Sequence, residues 1–149
     1  MDSIIPPEGF RHHYPLQVRW SDMDALGHVN NARFLTYFEQ ARINYVRGLR
    51  LWDGIPDKLG LIIARVEIDF KLPLFAGDDV HVFTRCARLG NRSLDTEQVV
   101  ARRKDNQLEV VARGLITIVV YDYRANQSAP IPAEWRNLVK AYEVTPPNE

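Results

Sequence analysis

The feature that most constrains the fold of this chain is one change of hydrophobic period. From Asn31 onward, for about 17 residues, apolar side chains recur at steps of three and four, which is the period of one helix face. Beyond this helix, apolar and polar residues alternate in successive segments, and alternation is typical of half-buried strands. The apolar helix positions are Phe34, Tyr37, Phe38, Ala41, Tyr45 and Leu49.

Four alternating segments follow the helix, and short polar or glycine-containing connections separate them. Such connections imply that neighbouring strands are antiparallel. A shorter strand is expected before the helix, over Tyr14–Ser21, and a short helix near the end, over Pro132–Tyr142. The four main strands are predicted over Ala64–Leu72, Val80–Arg88, Ser93–Arg103 and Glu109–Tyr121.

One apolar helix face and one apolar sheet face can bury each other. The pattern therefore predicts an α+β fold in which a curved antiparallel sheet wraps around one long central helix. A chain of 149 residues corresponds to one domain. We expect that domain over residues 14–142, with an N-terminal arm over 1–13 and a flexible tail over 143–149, because both ends are rich in proline.

Composition argues against several classes of partner. The chain has 19 Lys and Arg against 19 Asp and Glu, whereas nucleic acids and anionic membrane surfaces select a positive excess. No apolar run approaches the roughly 20 residues of a membrane-spanning helix, and the first residues do not resemble a signal peptide. Cys86 is the single cysteine, which excludes an intrachain disulfide and favours a cytoplasmic location.

The residues best suited to chemistry lie in the loop before the main helix: Asp22, Asp24, His28, Asn30 and Asn31. Free N–H groups at a helix start can bind an oxyanion, and a carboxylate or histidine can attack an acyl carbon or activate water. Asp and Asn are also common turn and capping residues, so the residues alone leave that explanation open. A divalent metal site is a weaker alternative, because no further ligand stands at helical spacing to complete it.

A longer motif contains this loop and reads Trp20-Ser-Asp-Met-Asp-Ala-Leu-Gly-His-Val-Asn-Asn-Ala-Arg-Phe-Leu-Thr-Tyr-Phe-Glu-Gln-Ala-Arg42. It resembles the opening motif of the hotdog-fold acyl-CoA thioesterases, and within them the 4-hydroxybenzoyl-CoA thioesterase-like family. The order of helix and strands over residues 14–121 agrees with that fold. The resemblance implies hydrolysis of acyl-CoA to a free acid and coenzyme A, by a homodimer or homotetramer without a metal or redox cofactor.

The resemblance also implies roles for four loop residues. Asp24 stands at the position of the family's catalytic carboxylate, and Asn31 at the position whose backbone N–H holds the thioester oxygen. Gly27 stands where the backbone approaches the thioester closely. His28 matches the branch similar to acyl-carrier-protein thioesterases rather than the aromatic branch. It therefore favours fatty acyl over aryl substrates and leaves both carriers, coenzyme A and acyl carrier protein, open.

Two mechanisms fit Asp24. The carboxylate can attack the thioester and form a mixed anhydride, or it can deprotonate a water molecule with help from His28. Two other functions compete with hydrolysis. A hotdog dehydratase pairs histidine with Asp or Glu in a different sequence context, and a pure acyl-thioester binding module would not need the carboxylate of Asp24.

Arg88, Asn91 and Arg92 stand around the start of a predicted strand, and the Asn-Arg-Ser segment resembles a Gly-Arg-Ser-type segment of the family. Arginine suits phosphate geometry, so we expect these residues to contact coenzyme A, although basic turn residues are more often merely solvated.

For the remaining candidates we expect structural roles. Asp22 is predicted to cap or orient the loop. Glu39 and Arg42 are three residues apart on the helix and fit an ion pair, although a place near the active site stays open. Cys86 is expected to be a buried apolar residue. The histidines outside the loop are expected at the surface: His12, His13 and His81.

Overall fold

The computed structural model describes residues 3–52 and 58–149. Within these residues, one antiparallel sheet contains five strands in the order β1-β3-β4-β5-β2 and a sixth, short strand β6 that pairs with the end of β5. The elements are β1 (His12–Leu16), α1 (Arg33–Gly48), β2 (Leu59–Phe70), β3 (Asp79–Leu89), β4 (Ser93–Lys104), β5 (Gln107–Asp122), β6 (Gln127–Ser128) and α2 (Ala133–Tyr142).

The main helix α1 confirms the prediction from hydrophobic period. Its apolar face is buried, and it packs on β1 and β3. The core beneath it comes from the inward side chains of the central strands, among them Val82, Ala112 and Ile116. The predicted antiparallel sheet around one main helix is therefore confirmed.

Strand β2 differs from its prediction. It begins at Leu59, five residues before the predicted start, because a bulge between Ile63 and Arg65 interrupts the alternation that marks the rest of the strand. The expected half-burial is wrong for the single chain. The apolar residues Ile63, Val66 and Phe70 are 41%, 38% and 45% exposed. The reason is that α1 packs mainly on β1 and β3, which lie towards the opposite edge of the sheet from β2.

The packed part of the chain extends past both predicted boundaries. Phe10 is buried against Phe83, so the end of the predicted arm joins the domain. At the other end, the N–H of Leu89 donates to the carbonyl of Asn148 at 2.7 Å, and the N–H of Asn148 donates to the carbonyl of Ala87 at 2.9 Å. The predicted flexible tail is thus fastened to β3 by backbone hydrogen bonds.

Two histidines expected at the surface are buried. His12 lies on β1, and its Nε2 contacts Asn44 Oδ1 at 2.8 Å. His81 lies on β3, and its Nδ1 meets Nε2 of His13 at 2.7 Å. The ring of His12 packs edge to face on Tyr45 of α1, and the ring of His81 lies beside that of His13. Burial lowers the pKa of His12. Cys86 is buried, as predicted.

Candidate active site

The loop between β1 and α1 folds back on itself as a tight turn. Met23 and Val29 form an antiparallel bridge, and the N–H of Asp24 donates to the carbonyl of His28 at 3.0 Å. Inside the turn, the N–H of Gly27 donates to the carbonyl of Asp24 at 3.0 Å. Gly27 has a φ of +84°, a left-handed conformation that favours glycine. Glycine at position 27 therefore favours the tight turn that carries Asp24.

Asp22 anchors this loop to the helix. Its buried Oδ2 accepts hydrogen bonds from the hydroxyl of Tyr37 at 2.7 Å and from the N–H of Arg19 at 3.0 Å. Its carbonyl accepts a bond from the N–H of Asn30 at 3.0 Å. Burial, followed by the neighbouring carboxylate, raises the pKa of Tyr37. These contacts confirm the structural role predicted for Asp22.

The carboxylate of Asp24 is held by two donors. Oδ1 accepts a hydrogen bond from the N–H of Leu26 at 2.9 Å, and Oδ2 accepts one from Nδ2 of Asn30 at 3.1 Å. The side-chain oxygen of Asn30 accepts a bond from the N–H of Ala32 at 2.9 Å. Asn30 thus joins the carboxylate to the start of α1. The sequence placed Asn30 among the loop residues suited to chemistry or to capping, but it did not predict the contact of Asn30 with Asp24.

The backbone N–H of Asn31 is available to a ligand. The N–H groups of the next three residues, Ala32, Arg33 and Phe34, are all taken by oxygens of Asn30 or Asn31. Among the residues that the structure describes, none accepts a bond from the N–H of Asn31. This exposed donor lies at the start of a helix, where the partial positive charge of the helix dipole favours a developing oxyanion.

The loop residues open on two neighbouring clefts. A cavity of about 230 Å³ is lined by His28, Asn31, Phe34 and Phe70, among others. Asp24 lines a second cavity of about 370 Å³, on the side of Asn30 and Arg33. Nδ1 of His28 lies 3.2 Å from the carbonyl of Val29, and the side chains of His28 and Asp24 form no hydrogen bond or ion pair in the described chain.

The structure does not bring Arg88, Asn91 and Arg92 near Asp24 within one chain. The N–H of Val29 donates to the carbonyl of Leu74, just before β3, whereas Arg88 lies at the far end of that strand. A strand of 11 residues spans roughly 35 Å. The candidate coenzyme A contacts therefore lie at the opposite end of the sheet from the candidate catalytic loop.

The three residues also differ in their partners. Arg88 forms a two-pronged ion pair with Asp95, at 2.7 and 3.0 Å, and this pairing lowers the pKa of Asp95. Arg92 is exposed and donates to the carbonyl of Ser128 at 2.7 Å. The carbonyl of Asn91 accepts a bond from the N–H of Ile131. Of the two arginines, Arg92 is the one with less of its charge compensated.

Arg42 does not form the expected ion pair with Glu39. Its side chain is buried, and its Nη1 donates to Oε1 of Gln98 at 3.4 Å. Burial lowers the pKa of Arg42, and the charge of Glu39 partly opposes this effect. Both residues border a cavity of about 180 Å³ that is otherwise apolar. The spacing of the two residues predicted their proximity but not the burial of the arginine.

Two further features concern metals and membranes. Residues 3–52 and 58–149 contain no group of three or more His, Cys, Asp or Glu side chains placed to hold a metal ion. No helix in the same part of the chain is both long enough and apolar enough to cross a membrane.

Comparison with known proteins shows the family to which this chain belongs. The model of the thioesterase-like superfamily matches residues 18–139, which include the loop, α1 and the sheet. The chain belongs to the thioesterase-like superfamily. This thioesterase-like protein is also similar to a solved thioesterase of Thermus thermophilus, complexed with coenzyme A and Zn. The two share 38% identity at a TM-score of 0.81, over 94% of this chain and 100% of the other.

Two curated bacterial proteins resemble the thioesterase-like protein as well. The long-chain acyl-CoA thioesterase FadM of Escherichia coli is 26% identical over 135 residues, which cover 84% of this chain and 94% of FadM. The acyl-CoA thioesterase YbgC of Haemophilus influenzae is 28% identical over 92 residues, 60% of this chain and 68% of YbgC. Together with the solved structure, these matches confirm the hotdog fold expected from the sequence motif.

Proposed function

We infer that this protein is an acyl-CoA thioesterase that hydrolyses a fatty acyl thioester to the free acid and coenzyme A. One observation carries the inference. The carboxylate of Asp24 is fixed by two hydrogen-bond donors, and one of them, Asn30, directly precedes the free N–H of Asn31. A carboxylate beside an unoccupied oxyanion donor is the arrangement that acyl transfer needs. The similarity to FadM and YbgC supports the same activity.

In this mechanism the N–H of Asn31 binds the thioester oxygen as negative charge develops on it, a contribution of about 3 kcal/mol for one such donor. Asp24 either attacks the carbonyl carbon or takes a proton from an attacking water. In both routes a C–O bond forms, the C–S bond breaks, and the coenzyme A thiolate leaves and is protonated. In the direct route, water must then hydrolyse the mixed anhydride. A single turnover in ¹⁸O-labelled water tests this route, because an unlabelled oxygen of Asp24 in the product shows direct attack followed by hydrolysis at the Asp24 carbon.

The apolar wall of the cleft beside Asn31 supports an apolar acyl group as substrate, and the resemblance at His28 favours a fatty acyl chain. Phe34 and Phe70 line the cleft, and their rings meet edge to face at 5.2 Å between centroids. We expect free-thiol release to be fastest with medium- or long-chain acyl-CoA in a panel that also holds acetyl-CoA, an aromatic acyl-CoA and acyl carrier protein thioesters. Preference for the aromatic substrate would contradict the fatty acyl assignment, and preference for the carrier protein would contradict coenzyme A as carrier.

The proposed enzyme is a homodimer or a larger homo-oligomer built on it. Within the described residues β2 pairs only with β5, which leaves a 12-residue edge carrying exposed apolar side chains such as Ile62 and Val66. An edge of this kind invites pairing with another strand. Sedimentation equilibrium should give two or four times the chain mass of 17.2 kDa. The mass of a single chain would contradict the proposal.

In a dimer, the turn that holds Arg92 in one copy can lie beside the catalytic loop of the other copy. Ser93 pairs with Val119, and Val119 pairs with Ile62, so the turn that holds Arg92 lies at the Leu59 end of β2. If two β2 strands pair antiparallel, that end of one copy lies beside the Phe70 end of the other, where the catalytic loop is. We therefore assign the phosphate contacts of coenzyme A to Asn91 and Arg92 of the second copy.

This assignment has a direct test. Arg92→Ala should raise the KM for acyl-CoA several-fold, because one charge contact with phosphate is lost. It should leave the KM for the matching acyl-pantetheine, which has no nucleotide phosphates, unchanged. Equal changes with both substrates would contradict the assignment.

Coenzyme A thioesters as substrate and a buried free Cys86 fit a cytoplasmic enzyme that needs no resident metal or cofactor.

A further inference from the structure

A cavity separate from the candidate active site lies between β1, α1 and the end of α2. Its volume is about 630 Å³, which is larger than either cleft at the candidate active site and within the range of small-molecule sites. The first residue of α1 that lines it is Gln40, nine residues beyond Asn31 and therefore about 13 Å further along the helix. The cavity also lies at the β1 edge of the sheet, whereas the proposed dimer uses β2 at the opposite edge.

The wall of this cavity combines aromatic rings with hydrogen-bonding side chains. Its rings belong to His12 and Tyr14 on β1, Tyr45 on α1 and Tyr142 on α2. The ring of Tyr45 meets those of His12 and Tyr142 edge to face, with centroid distances of 5.5 and 5.9 Å. Aromatic rings in such a cluster favour contact with a further ring. The wall therefore favours a ligand with a flat, aromatic body.

His12 holds one amide of the wall in a fixed orientation. The residue is 8% exposed, and its Nε2 contacts Oδ1 of Asn44 at 2.8 Å. Because an amide oxygen only accepts, Nε2 carries the proton, and the buried Nδ1 is an acceptor without a partner among the described residues. Burial lowers the pKa of His12, which keeps the ring neutral at pH 7. An unpaired buried acceptor lowers stability, so folding alone does not explain this arrangement.

The polar side chains of the wall present donors without partners. Within the described chain, no acceptor bonds the NH2 group of Asn44, the guanidinium of Arg47 or the hydroxyls of Tyr14 and Tyr142. Arg11 adds a positive charge nearby, since its guanidinium carbon lies 4.6 Å from the ring centroid of Tyr142. No Asp or Glu among the described residues lines the cavity. Donors without a neighbouring carboxylate favour an anionic ligand.

The groups that would oppose an anion are compensated. Glu143 contacts the wall through Tyr45, whose hydroxyl donates a hydrogen bond to its Oε1, and burial raises the pKa of Glu143 and so reduces its negative charge. The end of α1 carries the negative pole of the helix dipole. There, the carbonyls of Tyr45, Val46 and Arg47 accept bonds from the N–H groups of residues 49–51.

A single negative charge matches the cavity better than two. Arg47 is the one permanently charged side chain among the described residues that line it. A carboxylate can accept two parallel hydrogen bonds from a guanidinium, and the NH2 group of Asn44 supplies a further donor. A phosphate ester carries close to two charges at neutral pH, and the wall offers no second cation for it.

We propose that this cavity binds a small aromatic carboxylate. Arg47 and the NH2 group of Asn44 hold the carboxylate, and the rings of Tyr14 and Tyr142 contact the aromatic ring of the ligand. The proposal gives the chain a second binding site, for a free acid rather than a coenzyme A thioester. It does not depend on the chemistry at Asp24, so it stands or falls separately from the proposed function.

Titration of 2-naphthoate into the full-length protein, followed by ligand-observed NMR, tests this site. We expect a Kd of about 1 mM or below for the wild type. The neutral ligand of the same shape, 2-naphthamide, should bind at least about tenfold more weakly, because a charge-assisted hydrogen bond is lost. Arg47→Gln should weaken binding of 2-naphthoate to the same extent. Arg50→Gln changes an exposed arginine outside the described wall and should keep the wild-type affinity.

A cavity-filling variant tests the place of binding without changing a charge. Gly48 lines the cavity, and a Cβ built on it would meet no atom within 4 Å. Gly48→Leu should therefore fold and should weaken binding of 2-naphthoate by occupying part of the cavity. Dodecyl-CoA, a thioether that cannot be hydrolysed, should leave the affinity for 2-naphthoate unchanged.

Several outcomes would overturn the proposal. The absence of 2-naphthoate binding to the wild type, or equal binding of the acid and the amide, would overturn the choice of a carboxylate ligand. Wild-type affinity in Arg47→Gln or Gly48→Leu, or displacement of 2-naphthoate by dodecyl-CoA, would overturn its location. Tighter binding of adenosine monophosphate than of 2-naphthoate would show a site for a nucleotide phosphate instead.

Discussion

The hydrogen bond from Tyr37 to Asp22 holds the loop that carries Asp24 on α1, and its removal should lower stability by a predictable amount. Tyr37 is 3% exposed and Asp22 is 6% exposed, and the bond length is 2.7 Å. A bond of this kind to a charged acceptor contributes about 2 kcal/mol. The acceptor oxygen keeps its second donor, the N–H of Arg19, so Tyr37→Phe should not cost the larger amount expected for an orphaned buried charge.

Urea denaturation at one fixed protein concentration measures this cost, since oligomerisation makes apparent stability depend on concentration. For a urea slope of about 2 kcal/mol/M, Tyr37→Phe should lower the unfolding midpoint by about 1 M. A double-mutant cycle with Asp22→Asn should give a coupling energy of about 1–2 kcal/mol. The matched control is Tyr121→Phe, which removes an exposed 2.6 Å bond to Asn126 and should change stability by less than about 0.5 kcal/mol.

Two results would refute this account of the loop. The first is a Tyr37→Phe protein as stable as Tyr121→Phe. The second is a coupling energy near zero between Tyr37 and Asp22, which would show that the buried bond adds nothing to folding. Thioester turnover by Tyr37→Phe should also fall, because the same bond orients the turn that presents Asp24.

Three further predictions concern the interior. Burial raises the pKa of Glu143, so between its pKa in the unfolded chain and its pKa in the folded protein the folded state binds more protons. The stability of the wild type should therefore fall with rising pH relative to Glu143→Gln. Urea titrations should show a fall of up to about 1.4 kcal/mol per pH unit. Burial raises the pKa of Cys86 to about 12, so iodoacetamide at pH 8 should leave the native thiol unmodified by mass spectrometry and alkylate it in urea. A Cβ on Gly114 would lie 3.0 Å from Cζ of the buried Phe38, so Gly114→Ala should lower the unfolding free energy by about 1–3 kcal/mol in the same denaturation assay.

Local patterns were sufficient to predict the main helix, whereas the candidate site residues came from the family resemblance of the loop motif. The apolar face of α1 follows from spacing alone, and the tight turn at Gly27 needs a residue that tolerates positive φ. The free N–H of Asn31 follows from its position just before the helix. Asn30 was among the loop residues suited to chemistry or to capping, but neither role shows which other side chain it contacts.

Features that depend on distant pairing were not predictable from local patterns. Asp22 and Tyr37 meet across 15 residues, and the burial of Arg42 depends on β4 supplying Gln98 beneath the helix. The partners of Arg88 follow from its register with Asp95 across the β3–β4 pair, which sequence order does not reveal. Alternation in β2 correctly indicated a strand, but an isolated chain cannot bury a face that α1 does not cover.

The most direct test of the central claim is the single-turnover rate of Asp24→Asn with a long-chain acyl-CoA, beside wild type and Asp105→Asn. Asp105 is an exposed carboxylate in a turn with φ of +51°, a conformation that asparagine also accepts, so it controls for the loss of one surface charge. We expect thiol release by Asp24→Asn to fall at least about a hundredfold, as losses of a catalytic group do, with unchanged far-UV circular dichroism and unchanged thioether binding, and Asp105→Asn to match wild type. Wild-type release by a folded Asp24→Asn protein would contradict the assignment of Asp24 as the catalytic carboxylate.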